Sequence, residues 1–226
     1  MTERHGPGVL HVITDVSLQN RFTHVELARL AARGGADTVQ FREKRRLPAT
    51  TLGGIARGML RRVRQHAVRL LINDRVDLAA AIGADGVHLG RYDLPPAEAR
   101  RLLGEGALIG GTANSLEQAL RVSRCAVDYI GVGPVFGTRS KANPASRLGL
   151  AGLQRIARAV RQPVIAIGGI EPDLVHAVLE AGASGIAVLS SVVCHDDPAE
   201  QTSRFRAAIS RFEERRSHAN GLERAG

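Results

Sequence analysis

A chain of 226 residues that is 44% hydrophobic is long enough to bury one sizeable core without dividing into two domains. Aromatics are only 3% and Trp is absent, so that core is aliphatic, and no apolar run approaches the ~18 residues a membrane span needs. The formal charge of +9 admits nucleic acid or anionic small molecules as partners, while two well-separated cysteines, Cys125 and Cys194, argue against a disulfide framework and make a reducing cytoplasm the expected setting.

Residues 1–8, "MTERHGPG", read as an N-terminal tail without the basic-then-apolar order of a secretory signal. From residue 9 onward, strand-like apolar runs alternate with amphipathic helical runs. The first strand, "VLHVITD" (9–15), leads into no Gly-rich dinucleotide turn, which argues against a doubly wound open sheet. A helix over "HVELARLAARGG" then leads to the second strand, "DTVQFREK" (37–44). Its alternation places Gln40, Arg42 and Lys44 on one face and Phe41 and Glu43 on the other. With Phe41 toward the outer helices, an amide and two cations line the barrel mouth; a solvated charge run is the plain alternative for "REKRR".

The third strand, "RLLIND" (69–74), ends in Asn73 and Asp74, and the fourth, "GVHLG" (86–90), is followed by Asp93. Two carboxylates on neighbouring strand ends suit one Mg²⁺ completed by water and phosphate oxygens. The competing readings are that Asp93 caps the helix starting at "PPAEA" and that Asp74 merely pairs with Arg75. The fifth strand, "LIGGT" (108–112), brings Thr112 and Asn114 near the mouth, with Ser115 as a helix cap. The sixth, "DYIGVGPV" (128–135), runs into the Gly- and hydroxyl-rich "GPVFGTRSK", which closes on Lys141. The seventh, "PVIAIGG" (163–169), and eighth, "GIAVLSS" (185–191), end where backbone N–H groups can cradle a phosphate, a tight turn being the alternative for Gly168 and Gly169. A last helix through "SRFRAAISRFEER" precedes residues 216–226, expected to be a flexible polar tail.

Eight such units predict an α/β fold, a single (β/α)₈ TIM barrel over residues 9–215, with its chemistry at the C-terminal strand ends. Helix exits recur as Gly-Ala-Asp or a variant, the Gly supplying a left-handed cap. Among 31 basic residues, the only lysines are Lys44 and Lys141, both at that rim. Lysine is a compact point charge that Arg does not replace, so both are expected to meet an anion. The rim therefore reads as a site for two phosphorylated ligands, one a diphosphate with Mg²⁺. No Ser-His-Asp or Cys-His set is evident, and His88, inside a strand, reads as a core histidine.

The chain resembles the thiamine phosphate synthase family over residues 9–195, through "QFREK", "INDRVDLAAAIGADGVHLG" with Asp93, "DYIGVGPVFGTRSK" and "PVIAIGGI". The resemblance implies a barrel transferase that joins hydroxymethylpyrimidine diphosphate to a thiazole phosphate, with or without a carboxylate, and releases pyrophosphate by a dissociative, Mg-assisted route. It further implies that Gln40, Phe41, Arg42, Glu43, Lys44, Asn73, Thr112 and Lys141 bind the pyrimidine diphosphate. Arg42, Lys44, Thr112 and Lys141 would act in catalysis, and Asp74 and Asp93 would hold Mg²⁺. Thr138, Arg139 and Ser140 would meet the thiazole, whose phosphate would lie on Gly169, Leu189 and Ser190.

The departures from the family pattern are Arg91-Tyr92 before Asp93, Thr112 for Ser, Asn114 for a frequent His, Gly137 for Pro and Ser140 for Thr. A sister group, the TenI-type thiazole tautomerases, shares the barrel but uses a His in the loop after strand 5, where this chain has Asn114. A third reading, nucleic-acid binding through Arg57, Arg61, Arg62 and Arg64, lacks any stacking set or known motif. Homo-oligomerisation is left open, and no membrane partner is expected.

Overall fold

The computed structural model describes residues 6–137 and 145–223. Eight parallel strands close into a barrel in chain order: β1 (Leu10–Thr14), β2 (Thr38–Phe41), β3 (Arg69–Asn73), β4 (Gly86–Leu89), β5 (Leu108–Ala113), β6 (Tyr129–Val132), β7 (Val164–Ile167) and β8 (Gly185–Val188). The expected (β/α)₈ architecture is the observed one. Helices α1 (His24–Arg33), α2 (Ala49–Arg64), α3 (Val76–Ile82), α4 (Pro96–Leu103), α5 (Leu116–Val122), α6 (Gly149–Ala159) and α7 (Val175–Glu180) form the outer layer. A short α8 (Ser190–Val193) and the long α9 (Pro198–Glu223) complete it.

Period-two alternation sorts the side chains into two cores. Val12, Val39, Phe41, Leu70, Ile72, Val87, Ile109 and Ile130 face the helices and join the main aliphatic core. A smaller cluster of Ile13, Leu71, Leu108, Tyr129, Ile165 and Ala187 fills the barrel interior. Fully burying a Val, Leu or Ile contributes roughly 1.5–3 kcal/mol, so the helix-facing layer dominates stability and the strand ends are free to carry polar groups. Inside the barrel, a methyl group on Gly110 would lie 2.2 Å from the Tyr129 ring and one on Gly131 2.8 Å from His88. Those two glycines make the space in which His88 bonds Tyr129 Oη at 3.0 Å and Thr112 Oγ1 at 2.9 Å. His88 is thus a partly buried interior histidine held by polar partners.

The N-terminal floor is sealed by aspartates. Asp37 Oδ2 accepts the Val9 and Leu10 N–H groups at 2.8 Å each, Asp85 accepts Leu70 N–H at 2.7 Å, and Asp128 accepts Ile109 N–H at 2.8 Å. Each carboxylate so satisfies a donor at the start of the preceding strand, the first residue of β1 and the second of β3 and β5. Gly35, Gly83 and Gly182 take positive φ at the helix exits, as expected.

Three boundaries differ from expectation. β2 ends at Phe41 with one further ladder bond from Arg42 N–H, and beyond it Arg45 N–H turns back onto Glu43 Oε1 at 2.8 Å, drawing residues 43–45 out of the sheet. The eighth run leaves the sheet after Val188, and Ser190 and Ser191 begin α8. The expected tail is helical to Glu223: polar residues mark exposure, and no Gly or Pro interrupts residues 199–219.

Candidate active site

The C-terminal rim gathers most of the expected residues. Gln40, Arg42 and Lys44 share the interior parity of β2, as the alternation predicted, and Gln40 is buried at the mouth's floor beside Ile13 and Leu71 in register. Asn73 ends β3 on the same interior face, in register with His88. Thr112, near the end of β5, is oriented by His88.

The side chains of Phe41 and Glu43 turn away from the mouth. Phe41 is 2% exposed in the helix-facing core, edge-on to His24 at 4.7 Å. The Glu43 side chain is 3% exposed and lies between His24 and Arg45. Burial would raise the Glu43 carboxyl, but the Arg45 hydrogen bonds and charge outweigh it and bring its pKa to about 2. His24, held near 4 by burial, reaches Thr14 Oγ1 at 2.7 Å with its other nitrogen. Odd-numbered residues of this segment pin the strand end from behind; even-numbered ones face the mouth.

Two carboxylates meet at the mouth. Asp93 is pushed above the ordinary carboxylate range, first by burial and then by the hydrogen bond and charge of Asp74; the Gly90 N–H and Lys44 only partly offset this. Asp93 does not cap α4, whose N-cap is Pro95 without a side-chain bond; its Oδ2 accepts Gly90 N–H at 2.6 Å. Nor does Asp74 pair with Arg75, which binds Asp77 instead. Asp74 takes Lys44 Nζ at 2.5 Å and holds φ +65°, a left-handed conformation costly for a non-Gly residue and frequent at functional sites. Two facing carboxylates, with Asp93 raised beside Asp74, are the donor set a divalent cation relieves. Among the described residues no third His, Cys, Asp or Glu joins them. An ion held here would therefore complete its shell from water and ligand oxygens, the usual habit of Mg²⁺.

Sequence reading passed over Asp15. This carboxylate, 1% exposed at the end of β1, bonds the Arg42 guanidinium, itself lowered in pKa by burial against the opposing charge of Asp74. Its interior parity with His11 and Ile13 was the available signal. Asn114 is placed at the mouth, but its amide donates to the Gly133 carbonyl, and its backbone N–H donates to Gln118 Oε1 at 2.9 Å. It ties the β5 loop to the end of β6 and has no titratable proton to relay. Ser115 caps α5, as expected.

Across the mouth, Gly168 and Gly169 have φ +106° and +66°. A Cβ on Gly168 would lie 2.7 Å from the Pro134 Cα, so close approach of the β6 loop accounts for that glycine. Gly169 and Ser190 are exposed and Leu189 half-buried at the neighbouring ends of β7 and β8. Thr138, Arg139, Ser140 and Lys141 lie outside the described residues. The Arg91 guanidinium stacks 5.6 Å from the ring of Tyr92, which is 91% exposed.

The family model described as thiamine monophosphate synthase matches residues 10–192. A thiamine-phosphate synthase of Salinibacter ruber is 50% identical over 208 residues, 89% of this chain and 88% of that protein. One from Methanoculleus marisnigri is 43% identical over 208 residues, covering 91% and 98%. A solved thiamine phosphate pyrophosphorylase from Pyrococcus furiosus superposes with TM-score 0.81 at 37% identity, covering 90% of this chain and 96% of that one.

Proposed function

The chain belongs to the thiamine monophosphate synthase family, and from that premise we propose that its barrel mouth joins a pyrimidine diphosphate to a thiazole phosphate, giving thiamine phosphate and pyrophosphate. The observation that carries this is the cluster of Asp74, Asp93, Lys44 and Arg42 on one rim, two facing carboxylates flanked by two cations. Relatives that are thiamine-phosphate synthases make the enzyme a transferase of that class.

In the reaction, the bond between the pyrimidine methylene carbon and the diphosphate oxygen breaks, and its electron pair leaves with pyrophosphate. The ring amino group delocalises the cation left behind. The thiazole nitrogen then donates its lone pair to that methylene, closing the new C–N bond. Asp74 and Asp93 would hold Mg²⁺, which when bound offsets the charge growing on the leaving group. Lys44, Arg42 and Thr112 would bind the diphosphate oxygens and fix the leaving direction. Lys141 would join them, and Gln40 and Asn73 would orient the pyrimidine. Thr138, Arg139 and Ser140 would contact the thiazole, with its phosphate on Gly169, Leu189 and Ser190. Such chemistry needs alignment and charge neutralisation rather than a protein base, which agrees with a mouth built from amides, hydroxyls and cations.

The two exposed free cysteines fit a reducing cytoplasm, and no helix among the described residues is long and apolar enough to cross a membrane. Mass-spectrometric detection of thiamine phosphate after supplying both phosphorylated heterocycles with Mg²⁺ tests the reading. Product is expected only when both are present. Its absence, with a rearranged thiazole phosphate formed from the thiazole partner alone, would instead select the tautomerase.

A further inference from the structure

Arg42 meets the diphosphate in the reading above, and what holds Arg42 is a buried carboxylate on a different strand. From this, and resting on that reading, we infer that Asp15 is the positioning residue of the leaving-group site. It fixes the Arg42 guanidinium in the mouth and thereby sets how fast pyrophosphate departs.

The chain of contacts is short. Asp15 follows His11 and Ile13 on the interior face of β1, and Arg42 N–H continues the ladder by bonding Thr14 O at 3.2 Å. The two side chains therefore emerge next to each other, although 27 positions separate them in sequence. Oδ2 of Asp15 takes Arg42 Nη1, and Oδ1 takes both the Ser17 N–H at 2.9 Å and the Ser17 hydroxyl at 2.5 Å. Both oxygens are thus engaged, and the carboxylate cannot turn away.

Arg42 is only 14% exposed, so its charge is largely removed from water and needs a fixed countercharge. Among the described residues, Asp15 is the hydrogen-bond partner of its guanidinium. A planar fork held at one nitrogen and largely buried presents its remaining N–H groups in a restricted direction, the geometry in which Arg meets phosphate oxygens. Lys44 is built differently: half-exposed on a flexible stem, it rests on Asp74. The site so pairs one pre-aimed cation with one mobile cation. The Asp15 carboxylate touches no reacting atom in this arrangement; it acts through Arg42.

The test is a double-mutant cycle of Asp15→Asn and Arg42→Ala in the full chain, read by steady-state kinetics with each substrate varied in turn. Wild-type pyrophosphate release that requires both substrates first establishes the transferase reading; without it, that reading fails and the cycle is not interpreted as positioning. Given that activity, Asp15→Asn is expected to lower kcat about 30- to 100-fold, the scale of a misplacement near 1 Å. KM for the pyrimidine diphosphate should rise severalfold while KM for the thiazole phosphate stays fixed. The double variant should be no slower than Arg42→Ala alone, because the two act as one unit. Losses that multiply, or a KM change shared by both substrates, would overturn the proposal. If Asp15→Asn does not fold, Asp15→Glu and Ser17→Ala carry the test. Each should show a smaller loss confined to the diphosphate substrate, and wild-type kinetics in both would equally overturn it.

Discussion

The two ends of this barrel handle their carboxylates in opposite ways. On the floor, Asp37, Asp85 and Asp128 each accept backbone N–H groups, and Asp37 and Asp128 are also paired with Arg206 and Arg100 at 2.7 and 2.6 Å. At the mouth, Asp74 and Asp93 face one another, and Asp74 is held at a left-handed φ. Asp37 sits below the ordinary carboxylate range because Arg206 and the two N–H groups outweigh its burial, whereas Asp93 sits above it. The same residue type serves folding where its field is satisfied and function where it is left in conflict.

The contrast is broken most strongly from the floor. Asp37→Ala removes the acceptor of two strand-initiating N–H groups and should cost about 2–3 kcal/mol. Urea unfolding should show a lower midpoint at unchanged m-value, with activity per folded molecule kept. An activity loss larger than the stability loss would mean that the two ends are not independent.

Acid should act next. His11 and His24, each lowered from 6.5 to about 4 by burial, are neutral in the folded chain. Between those values the unfolded state binds more protons, so stability falls as pH drops from about 6.5 toward 4. Asp93, with its pKa raised, contributes the opposite sign, since the folded state there retains the proton that the unfolded state loses. The two histidines alone should cost about 2–3 kcal/mol between pH 7 and pH 5.5 by linkage, and Asp93 offsets part of that loss. Equal denaturation midpoints at the two pH values would contradict buried neutral imidazoles.

The smallest effect sharpens the mouth's side. In chelator, Asp93→Asn relieves the facing carboxylates and should raise the thermal midpoint by about 2 °C. A lower midpoint would show that Asp93 acts chiefly through its bond to Gly90 N–H.

Much of this was legible in the sequence because period-two alternation is rigid. The parity of Gln40, Arg42 and Lys44 followed from it, and so did the opposite parity of Phe41 and Glu43. The observed side-chain directions follow that parity. The parity of Asp15 was legible but its pairing with Arg42 was not, because that pairing is set by the β1–β2 register, which spacing along the chain does not encode. The floor aspartates were hidden for the same reason: the glycines before Asp37 and Asp85 act locally, while the carboxylates act across a strand pair. The tail's composition reported exposure, which is compatible with helix as well as coil.

The central claim is that the facing carboxylates serve a metal-bound diphosphate. The most direct measurement is pyrophosphate release from both substrates, with Mg²⁺, with chelator, and with Asp74→Asn under saturating Mg²⁺. The account predicts release that disappears in chelator, returns on adding Mg²⁺, and falls at least about 100-fold in the variant. Release that is indifferent to chelator, or an Asp74→Asn enzyme with wild-type rates, would contradict it.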